Sequence, residues 1–126
     1  MSLHTLLITS CNSSKLKINT IYRSKTTQNI YSIAGPDKKI ISNSTDITLT
    51  IINVQSAINH RQVVDFTIFI PAILESPNTY IGLYDIVENK IQFAHGMIEL
   101  NDCTSIFLTW FNGDTQLIYA NLQKWN

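Results

Sequence analysis

The sequence predicts a single all-β domain, an antiparallel β-sandwich or jelly-roll-like fold of about eight to ten short strands. Turn-forming residues interrupt runs of β-branched and aromatic residues every few positions, and no segment keeps a helical period of about 3.6 residues. A chain of 126 residues fits one domain, so residues 1–126 are treated as a single unit. A barrel is a third arrangement compatible with the same strand pattern.

The first half of the chain contains five predicted strands, at residues 3–9, 16–23, 29–34, 39–41 and 46–54. Polar residues 25–28 separate the second strand from the third, and Gly35-Pro36-Asp37 ends the third. The fifth strand alternates at first, but Ile52 and Val54 then make its second face apolar as well. Residues 55–61 are expected to form a loop or a single helical turn.

A strand over residues 63–70 is expected to end at Pro71, because proline lacks the ladder donor. Residues 79–87 and 90–100 then predict a hairpin about Glu88-Asn89. In the returning strand, apolar residues change from odd to even positions, which requires one inserted residue. We expect that residue in a β-bulge at His95-Gly96.

Residues 105–120 carry the strongest local signal, a hairpin about Asn112-Gly113. Asn-Gly favours a two-residue type I′ turn, in which both residues need positive φ. This turn would place Trp110 opposite Thr115. Every second residue along both strands would then lie on the same face of the hairpin as this pair. The predicted core layer is Trp110, Leu108, Leu117 and Tyr119.

Charge is sparse and unevenly distributed. Only 14% of residues are charged and the formal net charge is zero, so net charge does not indicate a nucleic-acid partner and none is expected. Residues 1–63 contain seven cationic and two acidic side chains, whereas residues 64–126 contain two cationic and seven acidic ones. Either strands from the two halves interleave and the charges offset locally, or a bipolar surface brings copies of the chain together.

Motifs for catalysis and metal binding are lacking. The sequence has no G-x-S-x-G, P-loop, H-E-x-x-H or C-x-x-C pattern, and its three histidines have no metal-ligand spacing. Asp85 and Glu99 are the one candidate carboxylate pair, if they face each other across the second hairpin. We therefore expect a protein that is not an enzyme and that uses no cofactor and no metal.

Targeting signals are also lacking in the sequence. The apolar run at the N-terminus is shorter than a signal-peptide core and has no basic residues before it. No stretch approaches the roughly 18 apolar residues of a membrane span. We expect a cytoplasmic or virion-associated protein without a membrane span, with Cys11 and Cys103 as free thiols.

The favoured function is non-catalytic self-association into an oligomer or array, as in a viral or bacterial structural component. Neutral net charge removes long-range repulsion, and strands that are apolar on both faces have surface to bury. A cationic edge of Lys15, Lys17, Arg23 and Lys25 would contact an acidic edge of the next copy.

The alternatives are a lectin-like domain and a monomeric inhibitor or immunity-type domain. A glycan needs aromatic faces for its C–H surface and planar polar groups for its hydroxyls. The candidate residues are Thr109, Phe111, Asn112 and Asp114 at the last hairpin, with Tyr80 and Tyr84. Asn-Gly-Asp is also ordinary sequence for a tight turn, which needs no ligand.

Overall fold

The computed structural model describes residues 16–101 and 104–125, which form ten antiparallel strands and no helix. The strands are β1 (Ile21–Arg23), β2 (Gln28–Ser32), β3 (Lys39–Ser44), β4 (Thr48–Val54), β5 (Arg61–Phe69), β6 (Asn78–Asp85), β7 (Lys90–Phe93), β8 (Gly96–Leu100), β9 (Ser105–Asn112) and β10 (Gln116–Lys124). The predicted first strand at residues 3–9, Lys15 and both cysteines lie outside the described residues.

The strands close into an eight-stranded barrel, so the all-β prediction is confirmed but the sandwich or jelly roll is not. The ladder runs β1-β4-β5-β6-β7-β8-β9-β10, and β1 pairs with β10 to close the ring. Strands β2 and β3 extend this sheet beyond β10. The polar residues 24–27 interrupt one segment of the chain and divide it into β1 and β2. Both strands pair with β10, and the pairing of β1 with β10 closes the ring.

Alternate side chains of the barrel strands point inward and form one apolar core. Trp110, Tyr84 and Phe66 are the largest fully buried side chains. The rest of the core cluster is Tyr22, Ile30, Ile47, Leu49, Ile51, Val64, Ile68, Ile70, Ile91, Ile98, Ile106, Leu108, Ile118, Ala120 and Leu122. This interior is filled by branched and aromatic side chains, as expected for a small barrel.

The register of the last hairpin differs from the prediction by three residues. Asn112 pairs with Gln116, so the loop has three residues, with Gly113 at φ 63°. Trp110 therefore lies opposite Ile118 rather than Thr115. This register buries Ile118, Ala120 and Leu122 on the inner face, whereas the predicted one would have buried Asn121, an uncompensated polar group.

An odd shift in register also exchanges the two faces of β10. Trp110 and Leu108 lie in the barrel core as predicted, but Tyr119 lies on the outer surface, opposite Thr109. Leu117 is 4% exposed, yet it too belongs to the outer surface, where it is opposite Phe111. The predicted core layer is thus wrong for Tyr119, whereas Leu117 is buried as predicted but lies on the outer face of β10.

The change of apolar positions between Phe93 and Ile98 comes from a chain reversal rather than a bulge. Residues 94–95 form a two-residue turn, and Phe93 pairs with Gly96 across it. The predicted strand at residues 90–100 is therefore two strands, β7 and β8. The turn that the sequence predicts before β7 is present, with Asn89 in the left-handed conformation at φ 58°.

The connection between β4 and β5 is a loop, one of the two predicted alternatives, and it ends in a tight turn. Asn59 and His60 both have positive φ, at 52° and 69°. The backbones of Ile58 and Arg61 exchange two hydrogen bonds across them, at 2.8 and 3.0 Å. This geometry is that of a type I′ hairpin turn, which Asn-His encodes much less clearly than Asn-Gly.

Candidate functional site

Four large apolar side chains form a transverse row on the outside of the barrel. Ile40 of β3 lies opposite Tyr31 of β2, and Tyr31 lies opposite Leu117 of β10. Leu117 in turn lies opposite Phe111 of β9. Directly opposite residues share one face of a sheet and pack together. Ile40 is 60% exposed and Phe111 is 39% exposed, so the ends of the row face solvent.

A cluster of aromatic rings extends this row along β9 and β10. The rings of Phe107 and Tyr119 are stacked, with centroids 5.9 Å apart and planes at 15°. Tyr31 meets Tyr119 edge to face at 6.1 Å. We call this surface the outer aromatic face. Its members are Tyr31, Ile40, Phe107, Phe111, Leu117 and Tyr119.

Opposite charges flank the outer aromatic face. On the β3 side, Lys38 Nζ donates to Tyr119 Oη at 3.2 Å and lies 5.0 Å from the ring centroid. On the β8 side, Glu99 lies opposite Phe107. Lys90 of β7 is the next residue in the same ladder after Glu99. The face thus has an apolar centre, a cation at one side and a carboxylate at the other.

The structure divides the predicted glycan residues among three environments. Thr109 and Phe111 lie on the outer side of β9, with Thr109 opposite Tyr119. Asn112 Nδ2 donates to Gln116 Oε1 at 2.7 Å, and Asp114 is exposed in the hairpin loop. These four residues share one hairpin. Tyr80 and Tyr84 lie on β6, away from it.

Tyr84 belongs to the barrel interior, and the half-buried Tyr80 packs against the core. Tyr84 is fully buried, so it leaves no ring face for a sugar, and its hydroxyl donates to Asn89 Oδ1 at 3.0 Å. Burial raises the pKa of Tyr84 to about 12, helped by the nearby Tyr22 and Asp85. Tyr80 packs against Phe93 and His95, with ring centroids 5.5 and 5.2 Å away.

His95 covers the core at this end of the barrel. Its ring is stacked on Trp110, with centroids 5.9 Å apart and planes at 16°. The Nε1 group of Trp110 is buried and makes no hydrogen bond. His95 therefore contributes ring contacts to the packing, with Trp110, Tyr80 and Phe93 as its aromatic neighbours.

Three of the cations that were predicted to mediate self-association, Lys17, Arg23 and Lys25, lie away from the outer aromatic face. Lys17 is exposed before β1, while Arg23 and Lys25 line a groove of about 610 Å³ with Asp46, Lys124 and Trp125. Arg23 Nε donates to Asp46 Oδ1 at 3.1 Å, and its guanidinium carbon lies 4.1 Å from the Trp125 ring centroid. We call this groove the cationic groove.

The proposed carboxylate pair does not form. Asp85 lies opposite Lys90, and Lys90 lies opposite Glu99, so a whole strand separates the two acids. Within residues 16–101 and 104–125, no three His, Cys, Asp or Glu side chains are grouped so that they could hold a metal ion. Across the same residues, no helix is long and apolar enough to cross a membrane.

Sequence reasoning missed most of the outer aromatic face. Tyr31 and Ile40 were assigned to strands without a partner across the sheet, and the wrong register placed Phe107 opposite Ile118 and Tyr119 inside. The available signal was the apolar second face of residues 105–111, which predicted unburied hydrophobic surface without locating it. Comparison of the chain with known protein families, curated proteins and solved structures gives no match.

Proposed function

We propose that the protein acts by self-association, as a symmetric dimer that buries the outer aromatic face. The observation that carries this proposal is the transverse row of Ile40, Tyr31, Leu117 and Phe111. A continuous apolar row across four strands, with solvent at both ends, is surface that a second protein molecule stabilises by covering. The zero formal net charge offers little repulsion between copies.

The arrangement of charge favours a two-fold axis through the Phe107–Tyr119 stack. Lys38 lies on the Tyr119 side of that stack, and Glu99 lies on the Phe107 side. A two-fold axis between the rings brings Lys38 of each copy towards Glu99 of the other. Apolar burial would then supply most of the affinity, while the two equivalent ion pairs would fix the orientation.

Sedimentation equilibrium of the full chain tests the apolar centre. The wild-type protein should have a mass near twice 14.3 kDa. Phe111→Asp places a charge on the apolar row that the dimer would bury and should raise the dissociation constant by about 30-fold or more. Ile81→Asp is the matched control, because Ile81 is a 68% exposed residue of β6, outside the face. A monomeric wild-type protein at high concentration would refute the proposal.

Charge reversal tests the axis. By symmetry each substitution alters two ion pairs, so Lys38→Glu or Glu99→Lys alone should weaken the dimer by about 10-fold. The double variant restores opposite charges and should recover most of the affinity. Lys25→Glu, in the cationic groove, should have no effect. A dimer that is weakened by Lys25→Glu but not by Lys38→Glu would instead support the interface that the sequence predicted.

Glycan binding is the second candidate, and one observation favours it. Thr109 lies on β9 between Phe107 and Phe111 and opposite Tyr119, so a polar residue stands within a surface of rings. Sugars bind to such surfaces by C–H contact with the rings and hydrogen bonds to the polar group. A monomer that is retained on a sugar column, and that loses retention in Thr109→Val, would select this function over self-association.

A further inference from the structure

We propose that the cationic groove binds a nucleoside phosphate, either free or as one unit of a single-stranded nucleic acid. In this arrangement Lys25 and Lys124 contact the phosphate, and the base stacks on Trp125. The groove shares no residue with the outer aromatic face, so ligand binding there does not depend on whether the protein self-associates.

Charge in the groove is the first argument. Its lining includes three cations and one carboxylate, in a protein whose formal net charge is zero. Asp46 accepts from Arg23 and neutralises it. The structure places no carboxylate of its described residues within ion-pair distance of Lys25 or Lys124. Two ammonium groups without a carboxylate partner among the described residues suit a phosphate, which carries up to two negative charges.

The position of Trp125 is the second argument. Its backbone N–H donates to Ile21 O at 2.7 Å, which holds the residue beside β1. Arg23 is anchored by Asp46 and lies over the indole ring, so the cation–π contact orients the ring. The side chain is still 62% exposed. A fixed but exposed indole is the kind of platform on which a base stacks.

Sequence reasoning found no such platform. The run Lys15, Lys17, Arg23 and Lys25 is interleaved only with Tyr22, and that tyrosine is 4% exposed in the core. The barrel supplies the missing aromatic residue by pairing β1 with β10, which brings Trp125 to Arg23. The volume of about 610 Å³ is also within the range of roughly 300–1,000 Å³ for small-ligand sites.

Isothermal titration calorimetry of the full chain at low salt tests the site with adenosine monophosphate and inorganic phosphate. Lys124→Gln should weaken binding of the nucleotide by about 10-fold, because one charge-assisted contact is lost. Arg61→Gln is the matched control, since it removes an exposed cation whose contact with Asp85, at 3.9 Å, is outside the groove. Its affinity should stay within about 2-fold of wild type.

Trp125 variants separate base stacking from simple anion binding. Trp125→Ala should weaken nucleotide binding by about 10-fold and leave inorganic phosphate unaffected, whereas Trp125→Phe should retain most of the affinity. A circular-dichroism melt of each variant checks that the barrel is intact. Absence of nucleotide binding, equal effects of Lys124→Gln and Arg61→Gln, or indifference to Trp125→Ala would each overturn the proposal.

A single-stranded DNA of about ten nucleotides distinguishes the two sources of the ligand. If the groove binds a strand, affinity should exceed that for the mononucleotide and fall with salt by a slope of about −0.7 per phosphate contacted. Lys124→Gln should reduce that slope by one contact. Binding of the strand no tighter than the mononucleotide would identify the ligand as a free nucleotide.

Discussion

The backbone of Gly96 lies so close to the carbonyl oxygen of Thr109 that a Cβ atom on Gly96 would be only 1.9 Å from that oxygen. Gly96 is the first residue of β8, immediately after the turn at residues 94–95, and has φ 154°. It pairs with both Phe93 and Trp110. The close approach lets the short hairpin of β7 and β8 pack against β9, beneath the stacked ring of His95.

Gly96→Ala should therefore destabilise the protein strongly. The added methyl group meets backbone rather than a side chain that can move, so β8 and β9 must separate or the turn must distort. We expect a loss of about 3 kcal/mol or more in the free energy of unfolding, measured by urea denaturation. Gly35→Ala is the control, because a Cβ there meets nothing within 4 Å, and should change stability by about 0.5 kcal/mol or less.

Leu108→Ala should also be costly, for a different reason. Leu108 is fully buried between Ile98 and Ala120 in the ladder, so truncation leaves a cavity in the core. The expected loss is about 2–5 kcal/mol in the free energy of unfolding. Leu83→Ala removes the same atoms from an outer-surface position that is 42% exposed, and should cost about 1 kcal/mol or less. Equal losses in the two variants would place Leu108 outside the core.

The strands were largely predictable from the sequence, whereas their pairing was not. Alternating apolar residues located β4, β5, β6 and β9, and Pro71 located the end of β5. Alternation of apolar and polar residues shows which face of a strand is buried, but it does not show which strand is its neighbour in the sheet. A barrel and a sandwich therefore have similar sequences. The closing contact joins Tyr22 to Lys124, a separation that no local pattern spans.

The same limit explains what sequence reasoning missed at the candidate sites. Asn112-Gly113 correctly marked a hairpin, but a loop one residue longer moved Tyr119 from the core to the outer surface. The cationic run was visible, while Trp125 joined it only through long-range pairing. Residues that act together here are neighbours across the sheet, and the register that makes them neighbours depends on burial along whole strands.

His60→Gly should stabilise the hairpin of β4 and β5. His60 has φ 69°, a left-handed conformation that costs a residue with a Cβ about 1–2 kcal/mol. Glycine avoids this strain but loses more backbone entropy on folding, about 0.5–1 kcal/mol. The net gain should be about 0.5–1 kcal/mol in the free energy of unfolding. His60→Ala keeps the strain and should give no gain, so a similar gain from both variants would contradict the explanation.

Tyr84 should make the stability of the barrel fall at alkaline pH. The pKa of its hydroxyl is raised from 10.0 to about 12, chiefly by burial. Below pH 10 the tyrosine is protonated in both states, and its contribution to stability is complete. Between these two pKa values the unfolded chain loses the proton while the folded chain keeps it, so unfolding releases a proton. The free energy of unfolding should then fall by about 1.4 kcal/mol per pH unit from this group alone.

The Tyr84→Phe variant isolates this contribution from the other groups that titrate at alkaline pH. At pH 8 it should be about 1 kcal/mol less stable than wild type, because Asn89 Oδ1 loses the donor that lies 3.0 Å away. As the pH rises from about 10 to 12, the wild type loses stability because its unfolded chain releases the Tyr84 proton, whereas the variant has no hydroxyl to titrate. The difference in free energy of unfolding between the two proteins should therefore shrink to zero and then change sign. Urea unfolding curves of both proteins across this range measure the effect. A difference that stays constant with pH would mean that Tyr84 titrates alike in the folded and unfolded chains.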